Sequence, residues 1–169
     1  MTDIQYQNTI TSPFNLAKHP MNQTKFYQLD SSVDWVKKLQ DELNESVDDP
    51  SFLDKTKISI NLEIKKIFDP KMGEILLVEG SYSSLFATKC VKSFKDMHDS
   101  VMGEFKSAFI GEEFQKDEAY QELTDIYINQ DTYELYYHGR GVADLYEMIH
   151  EQVYLEVNQY PQIEESLEN

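Results

Sequence analysis

Ile58, Ile60, Leu62 and Ile64 fall on one side of an extended backbone, with Ser59, Asn61 and Glu63 on the other. That period of two marks a strand with one buried and one wet face. Asp69-Pro70-Lys71-Met72-Gly73 interrupts the run with turn residues, and an extended pattern resumes from Glu74 to Lys89 around Gly80. A polar connection, Cys90 to Asp96, precedes a third long segment, Met97 to Ile110. Val101, Phe105 and Phe109 are its inward residues and Gly103 a candidate bulge. Three long strands joined by short turns predict an antiparallel meander.

Helical periodicity flanks this meander. Val33, Val36, Leu39 and Leu43 recur every three to four residues beside Trp35, and Lys37, Lys38, Asp41 and Glu45 occupy the opposite face. Ser31 is the expected cap, answered by Asp34, and Asp49-Pro50 the expected end. Near the C-terminus Asp144 is placed to cap a second helix, with Glu147 in the reciprocal position. Leu145, Met148, Ile149, Gln152 and Val153 form its inward face. Tyr133 to Tyr137 reads as a short strand closed by His138-Gly139-Arg140-Gly141. Residues 111–130 form an acidic connector, a loop or a short helix, and 1–30 an irregular segment with a weak extended stretch and two prolines. The glutamate-rich 164–169 is expected to fray. The prediction is one α+β domain over 1–169: an antiparallel meander of long strands with an N-terminal and a C-terminal helix packed against it.

Length and composition add bounds. A chain of 169 residues with 40% hydrophobic residues can bury a core without disulfides, and its one cysteine, Cys90, cannot form one internally. The N-terminal residues lack the basic and apolar regions of a secretory signal. The longest apolar run, Ile75-Leu76-Leu77-Val78, is far too short to span a bilayer, so the expectation is a cytoplasmic protein without a membrane partner.

The formal charge is -16, and it is uneven: residues 111–169 carry 15 Asp/Glu against Lys116 and Arg140, a net of -13. Between Lys55 and Lys106 nine lysines outnumber seven acids. A field of the overall sign repels phosphate, and Arg140 is the only arginine, so indiscriminate nucleic-acid binding by the whole surface is disfavoured. Solubility and a basic protein partner both account for the acid excess.

Candidate chemistry is sparse. His19, His98, His138 and His150 stand far apart and in no spacing known for metal ligation, and His98 and His150 read as solvated surface side chains. Lys89 and Lys92 could depress the pKa of Cys90, but no base is nominated for it. Adjacent acids such as Glu112-Glu113 need not converge on a substrate. Gly139-Arg140-Gly141 lacks the spacing of a phosphate loop. Tyr127, Tyr133, Tyr136, Tyr137, Tyr146 and Tyr154 could stack on bases, yet without basic interleaving they read as core residues. No catalytic group, cofactor, metal or small-molecule substrate is expected.

One constellation spans the second half. Gly80 precedes Cys90-Val91-Lys92-Ser93-Phe94-Lys95-Asp96-Met97; then come Asp144-Leu145 opening the last helix, Leu155 near its end, and Val157-Asn158-Gln159-Tyr160-Pro161. Over roughly residues 55–163 this resembles the YceD family, the bacterial large-ribosomal-RNA-subunit accumulation proteins. Its pattern has a strand glycine, a CxRC motif, an acidic stretch and a terminal DL…P motif. Lys92 stands where the family has arginine, Ser93 where it has the second cysteine, Asp96 and Asn158 where it has prolines. Ile163-Glu164-Glu165 replaces further cysteines found in many members. A zinc site of the kind those cysteines would build is not expected from one thiolate. The resemblance implies a noncatalytic role in large-subunit ribosomal RNA processing and ribosome biogenesis. Ribosomal RNA or a basic ribosomal or assembly protein would be the partner, with Lys89, Lys92 and Lys95 the candidate RNA contacts. An acidic adaptor that docks a basic protein, with no nucleic-acid role, is the competing expectation.

Overall fold

The computed structural model describes residues 3–163, so the expected fraying of 164–169 lies outside the described residues. In chain order come β1 (Tyr6–Gln7), β2 (Phe14–Asn15), a 3-10 turn (Leu16–Lys18), β3 (Thr24–Leu29), α1 (Asp34–Leu43), α2 (Pro50–Leu53), β4 (Lys57–Asp69), β5 (Gly73–Lys89) and β6 (Asp96–Gly111). A second 3-10 turn (Glu112–Lys116), β7 (Asp125–Ile128), β8 (Asp131–His138), β9 (Val142–Ala143) and α3 (Leu145–Glu156) complete the chain. The fold is α+β. A seven-stranded mixed sheet runs β1-β3-β4-β5-β6-β8-β7, and β2 pairs with β9 in a small separate ladder.

The antiparallel meander is present as β4-β5-β6, but it is the centre of a larger sheet. β8 joins β6 in parallel, with Ser107 opposite Glu134, and β7 closes the edge antiparallel to β8. The connector 111–130 therefore holds a 3-10 turn and a strand. At the other edge β3 pairs antiparallel with β4, so 1–30 is not irregular. Its Ile10, Phe14, Leu16, Tyr27 and Leu29 are buried in the same core as α1 and α3.

That core lies between one sheet face and the helices. Trp35, Val36, Leu39 and Leu43 of α1 meet Ile60, Leu62 and Ile64 of β4, while Leu145, Met148, Ile149 and Val153 of α3 cover β6. The five inward positions expected on α3 are all buried. A second cluster sits on the opposite face, where Ile75, Leu77, Ala108, Ile110, Ile126 and Tyr133 are covered by Phe114 and Tyr120 of the connector. Both faces are thus sealed around Ile75–Val78, which explains why the longest apolar run does not alternate.

Local signals need three corrections. Ser31 does not cap α1: the helix starts at Asp34, Val33 is the N-cap without a side-chain bond, and Asp30 organises the approach by accepting from the Ser32 N–H at 2.8 Å. Asp49-Pro50 does not end α1, which stops at Leu43 with Asn44 as its C-cap; it opens α2, because Asp49 accepts from the Ser51 N–H and proline suits the first helical position. Gly103 is not a bulge. The β5–β6 register runs unbroken through Tyr82–Gly103, and a Cβ at 103 would meet the Tyr82 ring, so the glycine makes room for the aromatic across the ladder.

Candidate nucleic-acid interface

β5 and β6 end in a six-residue loop, Cys90 to Lys95, which carries the candidate lysines. The Cys90 N–H donates to the Lys95 carbonyl and the Phe94 N–H to the Cys90 carbonyl, both at 2.9 Å, so the loop has a defined shape. Closing it this tightly puts Phe94 at φ 59°, a left-handed conformation that a bulky side chain seldom adopts. Lys92 and Lys95 are exposed and have no acidic partner among the described residues. Lys89 differs, because its ammonium bonds Asp96 at 2.6 Å.

Cys90 is buried beneath this loop, 3% exposed. Its thiol is pulled down to about pKa 6 by the Ser93 hydroxyl first, then by the backbone N–H groups of Ile163, Ser93 and Lys92, with burial working in the opposite direction. The Ser93 N–H lies 3.5 Å from Sγ. The cysteine thus organises the turn that displays the lysines. Among the described residues no group of three or more His, Cys, Asp or Glu side chains is arranged to hold a metal.

Of the positions singled out by the resemblance, two distant ones come together here. The Val91 N–H donates to the Pro161 carbonyl at 2.9 Å, so the segment after α3 is strapped against the Cys90 loop. Pro161 is buried there and Leu155, on the last turn of α3, is 70% exposed. The other positions serve the scaffold. Gly80 pairs with Leu62 and Phe105 inside the sheet, where any side chain would overlap the Asn61 carbonyl. Asp144 caps α3 by accepting from the Glu147 N–H at 2.9 Å, and Leu145 is fully buried. Among the described residues no reciprocal side-chain bond from Glu147 accompanies this cap; the Ser12 hydroxyl instead donates to the Asp144 carboxylate and accepts from the Tyr146 N–H.

The histidines are structural rather than merely solvated. His98 is stacked on Phe52 and bonded to its carbonyl at 2.8 Å, and His150 lies against Tyr154 with Nε2 3.0 Å from Glu42. Tyr133 is buried, Tyr136, Tyr137, Tyr146 and Tyr154 are partly buried, and Tyr127 is 69% exposed.

A second feature was not anticipated from the sequence. Between α3, the β8 side of the sheet and the connector lies a cleft of about 740 Å³. Glu112, Asp125, Glu134, Asp144, Glu147 and Glu151 line it with no lysine, arginine or histidine. These acids are dispersed over 40 positions, and only the parallel pairing of β8 with β6, the strand that α3 covers, gathers them. At its inner wall Gln152 Nε2 donates to the Tyr136 hydroxyl at 2.9 Å and to Glu134, and burial pushes the Tyr136 phenol well above its ordinary pKa.

No protein-family model matches this chain, and no curated protein or solved structure is similar enough to count as a match. No helix among the described residues is long and apolar enough to cross a membrane.

Proposed function

We propose that this protein is a noncatalytic cytoplasmic factor in the processing and accumulation of large-subunit ribosomal RNA, which it serves by binding ribosomal RNA or a pre-ribosomal protein. The observation that carries the reading is the Val91–Pro161 hydrogen bond. The resemblance to the YceD family rests on two motifs about 70 positions apart, and a family motif pair is expected to meet in space when both parts build one site. The Cys90 loop agrees with this in detail. Its thiol collects backbone N–H groups from both motifs, as a turn descended from a cysteine knuckle would. With Ser93 in place of a second thiolate, the turn retains a scaffolding role and presents Lys92 and Lys95 outward.

Sedimentation of ribosomes from a deletion strain tests the reading. A shortfall of large subunits relative to small ones, restored by the wild-type chain, is expected. A normal ratio overturns it.

The acidic cleft favours a second reading, an adaptor that docks a lysine- or arginine-rich protein segment. Six carboxylates facing one concavity without a cation attract such a segment and repel RNA. Substituting Glu147 and Glu151 with Gln would then abolish capture of a basic partner while leaving subunit ratios unchanged.

A further inference from the structure

The Cys90–Lys95 loop has an apolar side that the core does not explain. Phe94 is 75% exposed and Val91 40%, at the extremity of the two longest strands. Tyr160, 73% exposed, immediately precedes Pro161, whose carbonyl takes the Val91 N–H, so a second exposed aromatic residue belongs to the segment strapped to this loop. The backbone of Phe94 is in the left-handed region, where glycine or asparagine would be less strained. The ring thus contributes nothing to the core, sits on a strained turn and is open to whatever approaches from outside. Two lysines flank it, Lys92 two positions before and Lys95 one after, both exposed and without acidic partners among the described residues, while Asp96, two positions after, is taken up by Lys89.

Aromatic faces interleaved with ammonium groups are the chemistry of unpaired nucleotides. A base stacks on the ring while lysines take the neighbouring phosphates, and no base identity is read. A duplex hides its base faces, so the ring would have nothing to stack on. The loop also lacks arginine, which duplex groove contacts favour. The overall charge of -16 limits such a contact to places where the local balance turns, and this loop is one of them. Resting on the function proposed above, we infer that the Cys90–Lys95 loop is a stacking platform for single-stranded RNA, with Phe94 under a base and Lys92 and Lys95 on the flanking phosphates.

The test uses the full chain and a labelled oligoadenylate, free or annealed to its complement, with anisotropy followed across a potassium chloride series. Tighter binding of the unpaired strand is expected. Phe94→Ala should weaken it by about 5- to 150-fold, the worth of one stacked base. Replacing Lys92 and Lys95 with Ala should reduce the salt slope by about 1.4, two single-strand phosphate contacts. Phe94→Gly separates the ring from the turn, since glycine accepts the φ of 59° without strain. It should lose binding as Phe94→Ala does while folding at least as well, whereas Phe94→Trp should retain binding. Equal affinity for duplex and single strand, unchanged binding by Phe94→Gly, or no binding by the wild type overturns the platform. The parent reading fails separately: a deletion strain with normal subunit ratios removes it and leaves a measured stacking contact standing. A large-subunit deficit alongside an indifferent Phe94 removes the platform alone.

Discussion

Gly103→Ala is a one-carbon change whose effect follows from the cross-strand geometry of β5 and β6. A Cβ at 103 would sit 2.5 Å from the Tyr82 hydroxyl oxygen and 2.8 Å from Cζ, against an ordinary contact of at least 3.4 Å. The phenol must therefore withdraw by roughly 1 Å, in a ring 4% exposed and enclosed by α3. Withdrawal also breaks its hydrogen bond to the Gln152 carbonyl, already at 3.1 Å. Overpacking of a filled core costs about 1–3 kcal/mol, and a buried hydroxyl left without a partner about 1–3 kcal/mol. Loss of glycine's freedom in the unfolded chain returns about 0.4–1 kcal/mol. The net expectation is a destabilisation of about 2–4 kcal/mol. Urea unfolding followed by the fluorescence of Trp35, the only tryptophan and a buried one, measures it directly. In a Tyr82→Phe background the nearest clashing atom and the hydrogen bond are both absent, so the cost of Gly103→Ala should fall to about 1 kcal/mol and leave a coupling of 1 kcal/mol or more. Equal costs in the two backgrounds, or a cost below about 0.5 kcal/mol in the first, would refute the steric account.

Two further substitutions report on pH and one on a helix cap. Glu63 faces Glu79 directly across β4 and β5, and burial first, then the hydrogen bond and charge of Glu79, raise its pKa against the pull of Lys106. A raised carboxyl favours the fold below its unfolded pKa and loses that advantage as pH rises. Glu63→Gln should therefore stabilise by about 0.2–1 kcal/mol at neutral pH and not at about pH 4. His19 is 2% exposed, with Nε2 2.6 Å from the Gln23 carbonyl and Nδ1 buried without a partner, so the neutral ring carries its proton on Nε2. Burial above all, with the charges of Lys25 and Lys66, lowers its pKa. Stability is then complete above the unfolded value near 6.5 and declines as pH falls below it. His19→Gln, which keeps a donor but cannot be protonated, should flatten thermal midpoints measured between about pH 7.5 and 5.5, and an unchanged slope would exclude His19 as the cause. Asp144→Ala removes the cap of α3 and its link to Ser12, with an expected loss of about 1 kcal/mol by chemical denaturation, and Asp144→Asn should recover most of it.

The long elements were legible because their periodicity is strong. Ile58 to Ile64 alternate cleanly, and α3 was identified down to its individual inward residues. β3 escaped because Thr24–Leu29 buries only Tyr27 and Leu29, too few positions to establish a period. The β6–β8 pairing escaped for a different reason: a parallel neighbour reached through a connector and an edge strand leaves no local mark. At the candidate interface the lysines could be read as charges, but the engagement of Lys89 by Asp96 depends on β5–β6 register, and the exposure of Phe94 depends on how the loop closes. The acidic cleft is a purely tertiary object. Its carboxylates looked like a solvated run until β8 and α3 folded around the same space.

The span of β6 bears on how a protein of net charge -16 could meet a polyanion at all. Asp96 adjoins the lysine loop and Phe109 lines the acidic cleft, so about 13 residues of strand, roughly 40 Å at 3.3 Å per residue, separate the two. That is several screening lengths at physiological ionic strength, about 8 Å each. The lysine loop and the acidic cleft thus act almost independently on their surroundings. A polyanion brought to the loop would therefore meet the lysines with the repulsion of the cleft largely screened, so the separation along β6 matters more to such a contact than the net charge does.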